Sequence, residues 1–120
     1  IGSNTIIKGT PQPGDATGLA QLKTPLGVIR GHGPADADMA VIPAEAFRIT
    51  PAGAPGELRF DGTVTNKSLI GSVGHIRVRL ADQREIEVET HADTDAAQAL
   101  APGAPITLGV APVSVPLIHS

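Results

Sequence analysis

Two short clusters of histidine and aspartate carry side chains that could bind a metal ion. The first cluster is His32, Asp36 and Asp38, and the second is His91, Asp93 and Asp95. Imidazole and carboxylate groups bind hard and borderline metal ions. The first cluster lies among Gly and Pro residues that predict a surface loop, and the aspartates of the second suit the start of a helical turn. An EF-hand loop needs a third carboxylate and a Gly at fixed offsets, which both clusters lack, so we expect no metal site.

A serine close to a histidine is the second candidate for chemistry. Ser72 and His75 lie in a glycine-rich segment. In the nucleophile elbow G-x-S-x-G, the serine stands on a turn between a strand and a helix. Here Leu69 or Ile70 stands where the elbow needs its first glycine, and no helical pattern follows. We interpret the segment as a bend between strands and expect no catalytic residue in this chain.

The composition excludes several further classes of site and partner. Cys, Trp and Tyr are absent, which excludes disulfides, thiolate metal sites and catalytic cysteines. The net charge is −3 and the only aromatic rings besides histidine are Phe47 and Phe60, so nucleic acid is not an expected partner. Neither Gly-Lys-Ser nor Gly-Lys-Thr occurs, which excludes a P-loop. Since no apolar run approaches the ~20 residues that cross a bilayer, we expect a soluble binding or regulatory module.

Short apolar or alternating runs, divided by Gly and Pro clusters, predict a small all-β domain. The apolar content of 41% indicates that the chain folds despite its 14 Gly and 11 Pro. The expected strands are residues 5–9, 18–23, 27–30, 40–42, 47–50, 57–67, 74–81, 85–90, 105–110 and 115–118. Two short helical turns are expected at residues 43–46 and 93–100. No period of 20–50 residues recurs, so we interpret the Ala- and Pro-rich stretches as compositional bias and not as a structural repeat.

The pattern around residues 82–84 also predicts how two strands pair. Directly opposed residues share a face of the sheet, so the numbers of paired residues must sum to an even value if both apolar faces point inward. A three-residue loop at 82–84 meets this condition. It pairs Leu80 with Ile86 inside and Arg79 with Glu87 outside.

Six segments, taken in order, resemble the TOBE domain that follows the nucleotide-binding domain in ATPase subunits of bacterial ABC importers. They match its Gly-Ser-x-Asn start, its Ile-Arg-Pro-Glu segment, its central Gly-x-Val hairpin with a Leu-Gly bend, and its final Pro-Gly turn. The segments are residues 1–9, 41–49, 62–64, 69–72, 76–80 and 100–112. Three departures stand out. Ile42 replaces the usual Arg, Ala44 separates Pro43 from Glu45, and the loop at 82–84 lacks the Gly common there, which implies another loop conformation or strain at a positive φ.

The resemblance implies an OB-like, MOP-like small β-barrel and a single TOBE-like regulatory domain over residues 1–120. Because the chain begins with Ile1 and lacks a P-loop, the ATPase domain, with its ATP and Mg²⁺, is expected N-terminal to it. The implied role is accessory and regulatory in ATP-driven solute uptake, in the cytoplasm at the inner membrane. The implied partners are a second ATPase subunit in a homodimer and permease subunits reached through the ATPase domain. Pro43, Glu45 and Phe47 are the interface candidates.

The alternative is a free-standing oxyanion-binding protein of the related molbindin type. In such proteins, paired barrels hold an oxyanion on backbone N–H groups, serine and lysine. The candidate anion ligands here are Ser3, Asn4 and Lys8. A small regulatory ligand would be the partner in either case.

Overall fold

Eleven β-strands and two 3-10 helices make up the described part of the chain. The structure is a computed structural model, which describes residues 4–14, 18–49, 58–91 and 101–120. The strands are β1 (Asn4–Lys8), β2 (Thr10–Gln12), β3 (Ala20–Thr24), β4 (Gly27–Gly31), β5 (Met39–Pro43), β6 (Arg48–Ile49), β7 (Leu58–Ile70), β8 (Val73–Leu80), β9 (Glu85–His91), β10 (Pro105–Val110) and β11 (Leu117–Ile118). The helices are η1 (Ala44–Ala46) and η2 (Pro112–Ser114). The prediction of an all-β, OB-like domain with short helical turns is confirmed.

The strands form three antiparallel sheets around one aliphatic core. Their orders are β1-β5-β11, β6-β10-β7-β8-β9 and β2-β3-β4. Alternating residues of each strand point inward, as in β1, where Thr5 and Ile7 are buried and their neighbours are exposed. The two phenylalanines meet in this core, with the ring centroids of Phe47 and Phe60 6.1 Å apart in an edge-to-face contact. In the described ranges, no helix has the length and apolar character to cross a membrane.

The two halves of the chain repeat one order of elements, and the corresponding strands begin more than 50 positions apart in the sequence. β1 and β2 correspond to the long β7, β3 and β4 to β8 and β9, and β5 to β10, and a 3-10 helix follows both β5 and β10. The register agrees as well. The N–H of Gly9 donates to the carbonyl oxygen of Asp38 just before β5, and the N–H of Val64 donates to that of Ala104 just before β10, both at 2.9 Å. The loops between corresponding elements differ in length, so no fixed period reveals the duplication.

Each half contributes its last strand to the sheet of the other half. β6 pairs with β10, and β11 pairs with β5. Contacts between β9 and η1, and between β4 and η2, join the halves a second time. One half therefore cannot leave the other without losing a strand and part of its core.

The loop between β8 and β9 lies one residue earlier than the sequence predicts, at 81–83. Val78 pairs with Ile86 and Arg79 with Glu85, so the predicted pairs of Leu80 with Ile86 and of Arg79 with Glu87 are wrong. Both registers satisfy the even-sum rule, which cannot choose between them. A side chain favours the observed register, because Asp82 accepts the N–H of Arg84 and stabilises the loop at 81–83, as in an Asx-turn.

The missing glycine of this loop has a measurable consequence. Gln83 has a φ of 73°, a conformation that costs a non-glycine residue roughly 1–2 kcal/mol. Replacing Gln83 by Gly should remove this strain and raise the free energy of unfolding by about 0.5–1 kcal/mol in urea titrations, after the entropy cost of glycine. Lys23→Gly, at an exposed position in β3, is the control and should lower it by a similar amount. A Gln83→Gly protein less stable than the unsubstituted chain would contradict this account.

Two other expectations have different outcomes. The helical turn at 43–46 is confirmed by η1, with Pro43 at its start, whereas the turn at 93–100 lies outside the described residues. β2 falls between the expected strands at 5–9 and 18–23, where Pro11 and Pro13 lie in one of the Gly and Pro clusters. Since β2 is an edge strand, one side of its backbone makes no hydrogen bonds to a neighbouring strand, and a proline is tolerated there.

Candidate functional site

A long groove runs along β1, between that strand and the tip of the β8–β9 hairpin. Its volume is about 820 Å³. β1 contributes Asn4, Thr5, Ile6 and Lys8, and the hairpin contributes residues 82–87. We call it the β1 groove. Most of these positions are polar or charged, so the groove suits a polar ligand more than an apolar one.

Backbone N–H groups of β1 face this groove. In an antiparallel ladder, successive residues direct their N–H and C=O groups alternately toward and away from the partner strand. The N–H of Gly9 points toward β5, where it donates to Asp38, so Asn4, Ile6 and Lys8 point theirs the other way. In the described part of the chain, no strand pairs with this edge of β1. The edge therefore offers backbone hydrogen-bond donors to a ligand, and the carbonyl oxygens of the same residues face the groove beside them, as that of Ile6 does.

Arg84 crosses from the hairpin to β1 and holds the groove together. Its Nη1 donates to the carbonyl oxygen of Ile6 at 3.0 Å. Its Nε donates to Oδ2 of Asp82 at 2.7 Å, and its backbone N–H donates to Oδ1 of the same carboxylate at 3.2 Å. The side chains of Arg84 and Asp82 are 29% and 16% exposed, so this ion pair is largely removed from water and stronger than a surface pair.

The charges of the groove nearly balance. Among the described residues, two cations and three carboxylates line it, namely Lys8, Arg84, Asp82, Glu85 and Glu87. Both glutamates have partners on the exposed face of the sheet. Glu87 accepts Arg77 at 3.0 Å, and Glu85 accepts the hydroxyl of Thr65 at 2.9 Å. Asp82 is the carboxylate that engages the arginine of the groove.

The duplication provides an internal comparison for the β1 groove. The corresponding cleft beside β7 is capped by the β3–β4 turn, at Pro25 and Leu26, and has a volume of only about 220 Å³. Its arginine and aspartate, Arg59 and Asp61, pair on β7 itself at 3.2 Å, and Thr107 donates to the aspartate. The cleft beside the apolar turn is thus the smaller one, while the cleft beside the polar turn that carries an arginine is larger.

The predicted anion ligands are only partly brought together. Asn4 and Lys8 are both exposed on one face of β1 and line the groove, while Ser3 lies outside the described residues. Four residues of strand separate the two by about 13 Å, so one small anion cannot contact both backbones. The sequence prediction missed Arg84 and Asp82. An aspartate two residues before an arginine, in a tight turn without glycine, is the signal that could have found them.

The predicted interface residues lie at one corner of the domain. Pro43 ends β5 and is half-buried, Glu45 is exposed on η1, and Phe47 is buried in the core against Phe60. That they form an interface stays a prediction.

The candidate residues for metal and nucleophile chemistry do not converge. Asp38 accepts the hydroxyl and the N–H of Ser120 at 2.7 and 2.8 Å, and these hydrogen bonds hold the pKa of its carboxyl below the ordinary value. Asp36 faces His119 at 3.9 Å, and His32 is exposed. The described ranges contain no group of three or more metal-ligating side chains. Asp93 and Asp95, and the side chain of His91, lie outside the description.

Ser72 stands in a hairpin turn rather than on a nucleophile elbow. Ile70 pairs with Val73, so Gly71 and Ser72 form the two-residue turn between β7 and β8. Gly71 has a φ of 62°, which its lack of a side chain permits. A strand, not a helix, follows the serine.

Comparison with known proteins supports the fold and identifies a family. A family model described as TOBE domain matches residues 40–117. No curated protein matches the sequence. Among solved structures, the chain is similar to the cytoplasmic molybdate-binding protein ModG, in a crystal form with molybdate bound, with a TM-score of 0.78, 16% sequence identity, and 97% of this chain and 96% of that chain covered. At this identity the likeness shows the fold.

Proposed function

Because this chain belongs to the TOBE-domain family, we propose that it binds a tetrahedral oxyanion in the β1 groove. The donors are the side chain of Lys8, the outward N–H groups of β1, and the guanidinium of Arg84. Backbone N–H groups and charged side chains are the usual ligands of oxyanions in proteins. ModG, whose fold the chain shares, is a molybdate-binding protein, which supports this class of ligand.

The observation that carries the proposal is the divergence of the two corresponding clefts. Packing alone would favour closing both clefts with apolar residues, as Leu26 does beside β7. Beside β1 the chain instead keeps an open groove of about 820 Å³ with a lysine and an arginine. An oxyanion fills part of this volume, and water occupies the rest.

Calorimetric titration with molybdate, tungstate, sulfate and phosphate tests the proposal. At least one of the four should bind with a stoichiometry of one per chain. Lys8→Gln should weaken that binding about tenfold or more, since a hydrogen bond to a charged group contributes about 1.5–3 kcal/mol. Lys23→Gln removes the same charge from β3, outside the groove, and should leave the affinity within about twofold. Silence from all four anions would overturn the proposal.

We also propose a second function, as the accessory and regulatory domain of an ABC importer ATPase. The order of the segments at 41–49, 62–64, 69–72 and 76–80, all within the matched range, supports it. ATP and Mg²⁺ would then be bound by a separate nucleotide-binding domain, with permease subunits as further partners in the cytoplasm at the inner membrane. A gene that encodes no P-loop and no Leu-Ser-Gly-Gly-Gln signature upstream of this segment would exclude this function.

Under this second function, the domain would contribute to a homodimer. Pro43 and Glu45 would carry the contact, and the buried Phe47 would support the corner from inside. Sedimentation of the domain at high concentration is the measurement. A strict monomer would count against dimerisation through this corner.

A further inference from the structure

We infer that the carboxylate of Asp82 occupies the anion position of the β1 groove, and that an incoming oxyanion must displace it from Arg84. This inference rests on the proposed oxyanion binding and assigns the residue that sets its strength. Asp82 accepts two donors at once, the Nε and the backbone N–H of Arg84, at 2.7 and 3.2 Å. A side-chain cation combined with a backbone N–H is also how proteins hold free oxyanions.

The surroundings of the pair indicate that Asp82 competes for the groove as well as shaping the turn. The Asx-turn needs only Oδ1, which accepts the N–H of Arg84. Within the described residues, the one hydrogen bond of Oδ2 is the one that it accepts from the guanidinium of Arg84. Nη1 of Arg84 is bound to the carbonyl oxygen of Ile6, so the guanidinium plane is fixed beside the open edge of β1. Once Oδ2 moves away, Nε and the N–H groups of β1 face the same space.

The other cleft lacks this arrangement. There Nε of Arg59 lies 3.2 Å from Oδ1 of Asp61, and the side chains of Arg59 and Asp61 are 54% and 65% exposed. Exposed pairs of this kind contribute little, because water screens them. Asp61 therefore provides a matched control for the loss of one carboxylate from an Arg–Asp pair.

The expected effect follows from Coulomb's law. A unit charge about 6 Å from the ligand, at an effective dielectric constant of about 40, changes the affinity for a monoanion roughly tenfold and for a dianion roughly a hundredfold. Asp82→Asn keeps an oxygen that can accept the N–H of Arg84, and it replaces the charged Oδ2 by an amide NH2 that cannot accept from Nε. This variant should bind both kinds of anion more tightly, with the larger gain for the dianion.

Calorimetric titration with tungstate, a dianion, and perrhenate, a monoanion of the same shape, decides the matter. The proteins are the unsubstituted chain, Asp82→Asn, Asp61→Asn and Arg84→Gln. We expect Asp82→Asn to gain roughly tenfold for perrhenate and more for tungstate, and Asp61→Asn to change either by less than about threefold. Arg84→Gln should lose tenfold or more for tungstate, and it tests the assignment even if Asp82→Asn does not fold.

The outcomes separate the inference from the proposed function. If the unsubstituted chain binds tungstate and Asp82→Asn binds it equally, the role of Asp82 is overturned while oxyanion binding stands. Tighter binding of tungstate by Asp82→Asn than by the unsubstituted chain supports the inference. If neither protein binds either anion, both the inference and the proposed function fail. Undiminished binding by Arg84→Gln also overturns the inference.

Discussion

Replacing Leu108 by alanine should lower the free energy of unfolding by about 3 kcal/mol, within the range of 2–5 found for buried leucines. Leu108 has an exposed fraction of 0% and lies on β10, the strand to which both halves of the chain pair. It pairs with Phe60 on one side and Ile49 on the other, so a cavity here removes contacts from both halves at once. Urea unfolding monitored by circular dichroism is the measurement.

A leucine in the same sheet serves as the control for this prediction. Leu69 lies near the end of β7 and is 63% exposed. Leu69→Ala should change the free energy of unfolding by less than about 0.5 kcal/mol, since little apolar surface returns to water. Equal effects of the two substitutions would show that β10 does not lie in the core.

Replacing Gly31 by alanine should cost about 3 kcal/mol, because the new methyl group would meet backbone rather than a flexible side chain. A Cβ at this position would overlap the carbonyl oxygen of Val115. That oxygen cannot move away freely, since it accepts the N–H of His32 at 3.0 Å. The substitution therefore forces the segment that leads into β11 away from β4.

The test of the Gly31 prediction is also a test of the strand exchange. Gly74→Ala, in β8, is the control, because its Cβ would meet the methyl carbon and the carbonyl oxygen of Thr90 at ordinary distances of 3.4 and 3.6 Å. We expect that variant to be as stable as the unsubstituted chain or slightly more so, as alanine lacks the entropy cost of glycine. If Gly31→Ala unfolds at the same urea concentration as the unsubstituted chain, the C-terminal segment does not pack closely against β4.

Much of the fold could be predicted from short-range pattern. The alternation in β8, with Ile76, Val78 and Leu80 inside, determines which face is buried, and the structure agrees at each position. The choice between two registers could not be predicted in this way, because a shift by two residues leaves every side chain on its own face. That choice depends on a hydrogen bond of Asp82, a single polar contact that apolar periodicity does not encode.

The duplication could not be read from the sequence for a different reason. Corresponding residues such as Gly9 and Val64 differ in type, and unequal loops remove any common spacing. The likeness survives only in backbone hydrogen bonds, which depend weakly on side-chain identity. The same is true of Pro11, whose tolerance in β2 depends on the strand being at an edge, a property of the assembled sheet.

For the candidate site, the sequence by itself determined which chemistry was available, and the tertiary structure decided where it lies. Lys8, Asp82 and Arg84 are visible in the sequence, and the absence of cysteine and of a P-loop motif limits what they can do. The packing of the two halves brings the hairpin tip, more than seventy residues away in the chain, against the open edge of β1. Hydrophobic periodicity reports on a few neighbouring residues, whereas a groove forms between surfaces that meet only when the chain folds. The sequence therefore could not show that Lys8 and Arg84 line the same groove.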